Sequence, residues 1–239
     1  MKEKNKTIPK VSKIRDKKIK DRIKRAIVVR EIRIALKMIE KLPNSDRTNR
    51  DKILKRLRKW LRIRGSQSSF ALTKRNFMTL WKGFFDCIWN ASNNISIQEE
   101  LAKSFSKFVR CLTTRKTIIL YTSCALKALA IEWFDIDHRK LNLFSMLAEM
   151  IIRQMFVVCK NKSWNIEWVT EFAKVSTQLF LHEKNERFIM YMARIYVEES
   201  AKICGRNTYL PDGVIRELFT PFIEYIRRKE KQKLKSYDI

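Results

Sequence analysis

The chain has 239 residues, 45% of them hydrophobic, with only four glycines and four prolines. That composition excludes wholesale disorder and a fold of many short strands and turns, and it predicts one large domain of long helices. The 52 Lys and Arg against 25 Asp and Glu leave a formal net charge of +27. Such an excess repels itself unless a polyanion neutralises it; nucleic acid is the first candidate, and an anionic membrane surface the second. The excess is also uneven: residues 1–64 hold 25 basic and 7 acidic residues, a net of +18, so one end of the chain carries two-thirds of it.

The first 25 residues hold 12 Lys and Arg and 3 acids. Ile19 and Ile23 would lie on one side of a helix there, whereas Val28, Ile32, Ala35, Leu36 and Ile39 line the opposite side. One straight helix does not serve both faces, so the reading divides the chain into a basic arm at 1–25, a helical domain at 26–226 and a basic tail at 227–239. The arm suits nuclear import or nucleic acid, with Arg22, Lys24 and Arg25 as candidate contacts. Pro43 and Asn44 stop the first helix of the domain, and Ser45 or Asp46 can cap the next.

In that next helix Ile53, Leu54, Leu57, Trp60 and Leu61 share one side, and Lys52, Lys55, Arg56, Arg58, Lys59 and Arg62 the other, with Ile63 breaking the pattern. An ordinary solvated face mixes charge signs. Here Asp51 is the only acid between Arg47 and Arg64, so the outer face is the best candidate for contacting phosphates. Gly65 is expected to end this helix.

The stretch "LWKGFFDCIW", residues 80–89, belongs to a helix expected from Lys74 to Trp89. Phe77, Leu80, Trp81, Phe84, Phe85, Ile88 and Trp89 cover well over half its circumference, and Lys82 and Asp86 take the narrow polar side. Aromatics that stack on bases usually sit on sheets or loops among basic residues, so this helix is read as core. Gly83 would let another helix approach closely.

"SIQEELAKSFSKFVRCL" opens with Ser96 and Glu99 at capping-box spacing, and Leu101, Phe105, Phe108 and Leu112 form its stripe. "TIILYTSCALKALAIEWF" is apolar nearly all round. The helix after it begins at an Asp135 or Asp137 cap, with Leu141, Phe144, Ala148, Ile151, Ile152 and Met155 inward. Two more helices run roughly 164–182 and 186–204, the second closed by Gly205, and a last one starts after Pro211 and is interrupted at Pro221. With no clear strand, the fold class is all-α: an antiparallel helical stack, α-solenoid-like, of about eight or nine helices, with no exact internal repeat.

Signals for other chemistry are missing. The five cysteines are odd in number, far apart and without a C-x-x-C pair, so they read as reduced core residues. "MKEKNKTIPK" has no apolar secretory region, and no uninterrupted apolar stretch approaches membrane-spanning length. His138 and His182 do not fall in a zinc set, and no phosphate-binding glycine loop or nucleophile elbow occurs. Asp135 and Asp137, with Glu132 and His138 nearby, are read as capping and dipole compensation rather than as an acid–base or metal pair. The expectation is a protein that is not an enzyme and uses no cofactor or metal.

Three blocks carry a family resemblance: "RIALKMIEKLPNSDRTNRDKILKRLRKWL", "LWKGFFDCIWNASNNISIQEELAKSF" and "EWFDIDHRKLNLFSMLAEMIIRQMF". In order and spacing they resemble the signature blocks of the ribosomal RNA processing protein 1 family, nucleolar factors of large-subunit assembly. The resemblance covers about Ile32 to Phe222. It falls on Arg50, Asp51, Leu57, Trp60 and Leu61, on Leu80, Trp81, Lys82, Gly83, Phe84, Cys87 and Trp89, on Gln98, Glu99, Glu100 and Leu101, and on Glu132, Trp133, Ile136, Asp137, Leu141 and Phe144. Of these, Trp60, Leu80, Trp81, Gly83, Phe84, Trp89 and Trp133 are taken as the structural core of the motifs. The chain departs from the family at Asp86, where tyrosine is usual, at the "ASNN" turn and at "RKLNLFSM", and the family's long charged C-terminal extension is reduced to residues 227–239. These departures mark a divergent member.

The resemblance implies a non-catalytic assembly factor in the nucleus and nucleolus, needed for processing of large-subunit precursor rRNA. Its partners would be that rRNA and other preribosomal factors, with no small-molecule substrate and no membrane. The residues alone leave two alternatives: a helical protein-interaction scaffold whose basic arm serves only import, and peripheral membrane attachment through residues 13–42. The second lacks the Trp and Phe anchors of an interfacial helix.

Overall fold

The computed structural model describes residues 8–66, 72–91, 94–133, 138–205 and 209–237. Among them are nine α-helices and no strand: α1 Ile8–Glu40, α2 Arg47–Ser66, α3 Lys74–Asn90, α4 Ile95–Lys107, α5 Arg115–Glu132, α6 His138–Asn161, α7 Ile166–His182, α8 Glu186–Cys204 and α9 Asp212–Tyr237. A 3₁₀ turn, Phe108–Cys111, follows α4 directly. The expected helical stack is what forms.

The helices pack in two rows. In one, α1 lies on α3, α3 on α5, α5 on α7 and α7 on α9; in the other, α4 packs on α6 and α6 on α8, with α2 joining through the 3₁₀ turn. Apart from α2, each helix therefore rests on the one two places along, the arrangement of an α-solenoid. Helix α3 lies between α1, α4 and α5, which explains its nearly all-round apolar surface.

At its centre Trp81 is fully buried and donates its indole N–H to the Tyr121 carbonyl at 3.2 Å. Its ring meets Phe84 edge-on at 5.4 Å and Tyr121 at 5.0 Å, and Phe84 stacks on Phe105 at 4.1 Å. The Tyr121 hydroxyl donates to the Phe105 carbonyl at 2.7 Å, so the two polar atoms of this aromatic cluster are both satisfied. Gly83 is the place where α1 closes on α3: a Cβ there would stand 2.6 Å from the Leu36 Cδ2 methyl.

One helix carries both stripes of α1. The first buried residue among its described side chains is Val28, and the turns before it are exposed apart from a half-buried Lys24. At the other end α9 runs unbroken through Pro221, where an interruption was expected. Proline removes one backbone donor. Packing on α7, with a contact from α8, carries the helix across the gap: Val214 and Leu218 are buried, Pro221 itself is buried, and Phe222 lies against Phe180 of α7 and Tyr196 of α8 at 5.6 and 5.4 Å.

Several local expectations are corrected. Helix α4 is capped by Asn94, whose side chain accepts from the Ile97 N–H, and not by Ser96. Gly65 lies inside α2, pressed against Leu112, and does not end it. Leu141 is 37% exposed because it stands in the first turn of α6, before the stripe formed by Leu143, Phe144, Leu147, Ala148, Ile151 and Ile152 reaches its neighbours. Asp46 does cap α2, accepting from the Asn49 N–H at 2.9 Å, and Gly205 closes α8 with φ 74°. Asp135, Ile136 and Asp137 lie outside the described residues.

Helix α6 is long and apolar enough over Leu141–Asn161 to cross a bilayer by length and composition, though Glu149, Arg153 and Lys160 interrupt its apolar run as the sequence reading expects. Most of its apolar residues, Leu143, Phe144, Leu147, Ile151, Ile152, Met155 and Phe156 among them, are core. It also carries Arg153, which donates to the fully buried Glu199 of α8 at 2.6 and 2.9 Å, while Lys202 donates to the same carboxylate at 2.8 Å. Burial pushes the Glu199 carboxyl up, but the Arg153 and Lys202 hydrogen bonds more than offset it and hold it below the usual range. A carboxyl lowered in the folded state contributes stability above its unfolded pKa of about 4.5 and loses it as the pH falls through the folded value. Glu199→Ala is expected to cost about 1–3 kcal/mol at neutral pH. Arg153 and Lys202 stay partly hydrated, so the penalty stays below that of a fully buried orphan charge. Thermal melts of the wild type and the variant should converge as the pH is lowered below about 4.5.

Candidate nucleic-acid interface

Helix α2 owes its position to its apolar side. Leu54, Leu57 and Leu61 are buried, and the buried Arg50 donates to Glu100 of α4 at 3.2 and 3.3 Å and to the Ser45 carbonyl at 2.7 Å. On the α1 side Glu31 accepts from the Trp60 indole at 3.0 Å and pairs with Arg64. Burial raises the Glu31 carboxyl; the bonds from Arg64 and Trp60 outweigh it and keep the group ionised below the usual range.

With α2 held on both flanks, Lys52, Lys55, Arg56, Lys59 and Arg62 all stand exposed, and none enters an ion pair among the described residues. Arg58 is half-buried, its guanidinium 5.9 Å from the Phe108 ring centroid. That contact brings a second set of cations alongside. Burial, and then repulsion from Lys103, Arg110 and Arg58, lowers the Lys107 ammonium below the usual lysine range. Arg110 is fixed by its bond to the buried Gln154 of α6 at 2.7 Å. Burial raises the Cys111 thiol, and Arg58 and Arg62 pull it back down, so Arg62 also faces this corner.

Lys103, Lys107 and Arg110 are not among the residues expected from sequence. Their signal is there all the same: no acid occurs between Leu101 and Thr114, and the three fall opposite the Leu101, Phe105, Phe108, Leu112 stripe. Of the arm residues, Lys24 lies two turns before Glu31 and therefore on the α2 side. Arg22 and Arg25 are exposed and project from α1 at about 180° and 120° from Glu31, so they do not join the α2 surface.

Leu80, Trp81 and Phe84 are buried and Trp133 is 8% exposed, with its ring 5.1 Å from those of Phe188 and Tyr191. Trp60 and Trp89 are half-buried, and Gly83 faces α1. No group of three or more His, Cys, Asp or Glu among the described residues is placed to hold a metal ion.

The family model described as "Nucleolar protein, Nop52" matches residues 33–237. A ribosomal RNA processing protein 1 homolog of Drosophila melanogaster is 27% identical over 202 residues, 83% of this chain and 29% of that protein. Homolog A of Homo sapiens is 24% identical over 171 residues, 70% of this chain and 37% of its own length. A homolog of Caenorhabditis elegans is 24% identical over 194 residues, 80% of this chain and 47% of its own. The chain thus spans less than half the length of these relatives. With the matched region running from α1 through α9 and taking in every helix that builds the basic surface, the chain belongs to the Nop52 family of nucleolar proteins.

Proposed function

We propose that this chain is a non-catalytic assembly factor of the precursor large ribosomal subunit, acting in the nucleolus and contacting the precursor rRNA backbone through α2 and the adjoining 3₁₀ turn. The observation that carries the reading is the joined cationic surface: five exposed cations of α2, none in an ion pair among the described residues, extended by Lys103, Lys107 and Arg110. A surface of one sign neutralises phosphates and releases counterions, and it positions RNA without reading its sequence. The relatives' names refer to ribosomal RNA processing, which supplies the class of RNA. Other preribosomal proteins are the remaining partners, and no membrane or small-molecule substrate is invoked.

Ultraviolet crosslinking of the full chain in cells, with nucleotide-bearing peptides read by mass spectrometry, is expected to mark the segments around 52–66 and 103–115. Crosslinks confined to other segments would remove this surface from the reading. The purified chain is also expected to leave precursor rRNA uncut with or without magnesium. Cleavage that disappears in Asp135→Ala or Asp137→Ala would make it a nuclease.

A further inference from the structure

We propose that the outward face of α1, centred on Ile19, Ile23, Ile27 and Ile34, docks an acidic amphipathic helix of a partner protein. These four side chains are 47%, 55%, 38% and 49% exposed. At about 100° per residue they fall within about 80° of one another and form a stripe about 22 Å long. The opposite side of α1 carries the buried Val28, Ile32, Ala35 and Ile39 and packs on α3. Among the described residues no helix packs on the other side of α1, and a helix face left to solvent is normally polar. A single exposed isoleucine needs no explanation; four in line at helical spacing mark an interaction surface.

Charge identifies the occupant. Lys20 and Arg33 border the stripe, and Arg30 and Lys37 stand within its arc between and beyond the isoleucines; all four are exposed and make no ion pair among the described residues. Between Lys17 and Lys41 there are 10 Lys and Arg and only 3 acids, one of which, Glu31, is already engaged by Arg64 and Trp60. A helix with apolar anchors at i, i+4 and i+7 and Asp or Glu on its flanks matches both features. A second copy of this chain would bring another +27 to the same place. A bilayer calls for interfacial Trp or Phe, and residues 8–41 contain no aromatic residue. Isoleucine offers RNA neither a stacking ring nor a hydrogen bond. The inference does not rest on RNA binding by α2, which uses other residues.

The test places a photo-crosslinking amino acid at position 34 of the full chain in cells and sequences the crosslinked peptide. The expected adduct is a protein segment richer in Asp and Glu than in Lys and Arg, with apolar residues at helical spacing. Ile19→Ser, Ile23→Ser and Ile27→Ser together should reduce that adduct by about tenfold or more, as loss of central apolar anchors does. The melting temperature of the purified chain should move by less than about 2 °C, because surface residues contribute little to folding. Adducts to RNA, lipid, a second copy or a basic segment overturn the proposal, as does the absence of any adduct. So does an adduct that survives the serine substitutions, or a large drop in melting temperature that makes the stripe part of the core.

Discussion

Trp81→Ala is expected to destabilise the protein by about 3–5 kcal/mol, the cost of emptying a buried aromatic site. For a chain of this size that corresponds to a fall in melting temperature of about 6–20 °C. The ring is fully buried and touches Phe84, Phe85 and Tyr121, so its removal opens a cavity that residues from two helices border. The Tyr121 carbonyl is also left without the indole N–H. Folded domains are stable by only about 5–15 kcal/mol, so one substitution removes a large share. Thermal denaturation reads the effect directly. An unchanged melting temperature together with abolished RNA binding would show that the ring serves as a stacking platform and not as core.

The second large effect is on RNA affinity. Changing Lys55, Arg56, Lys59 and Arg62 to Glu should leave the buried Leu54, Leu57 and Leu61 in place, and with them the fold. Each such surface change usually moves stability by less than about 0.5 kcal/mol, and relief of like-charge repulsion works in favour of the folded state. Removing one cation from a phosphate flattens the slope of log affinity against log salt by about 0.7–0.9, so removing four flattens it by about 3. At 0.15 M salt that slope amounts to about two decades of affinity. The decrease should be nearly the same for unrelated RNA sequences, because bonds to phosphate position and do not specify. Residues 1–25 hold 12 basic residues whose charge would mask the loss, so the comparison is repeated in a chain beginning at Ala26. Affinity and slope that stay put in both backgrounds would reduce this face to solvated surface.

Much of the fold is legible in the residue order. The expected bounds of helix α3 agree with the observed ones to within a residue, and six of its seven expected core residues are buried. Apolar spacing is a local signal, set by 3.6 residues per turn, and it survives whatever the helix packs against. Differences gather where the outcome depends on neighbours or on loop backbone. Asn94 rather than Ser96 caps α4 because the cap goes to the residue whose extended backbone, φ −143°, precedes the first turn, and both residue types qualify by sequence. Pro221 sits inside α9 because packing on α7 outweighs one missing donor.

By itself the sequence determined the helical class, the charge asymmetry, the apolar face of each helix and the family motifs. Each is a property of composition or of residues a few positions apart. Only the tertiary structure decided that the helices stack in two rows with α2 set against the 3₁₀ turn after α4, and so which cations share a surface. Lys107 lies 49 residues after Arg58 in the chain and close enough beside it to feel its charge. The same is true of the ion pairs between helices, Arg50 with Glu100, Arg64 with Glu31 and Arg153 with Glu199, whose partners are 33 to 50 residues apart. Electrostatic contacts fall off over a few ångströms and carry no period along the chain, so nothing in the residue order announces them until the helices are packed.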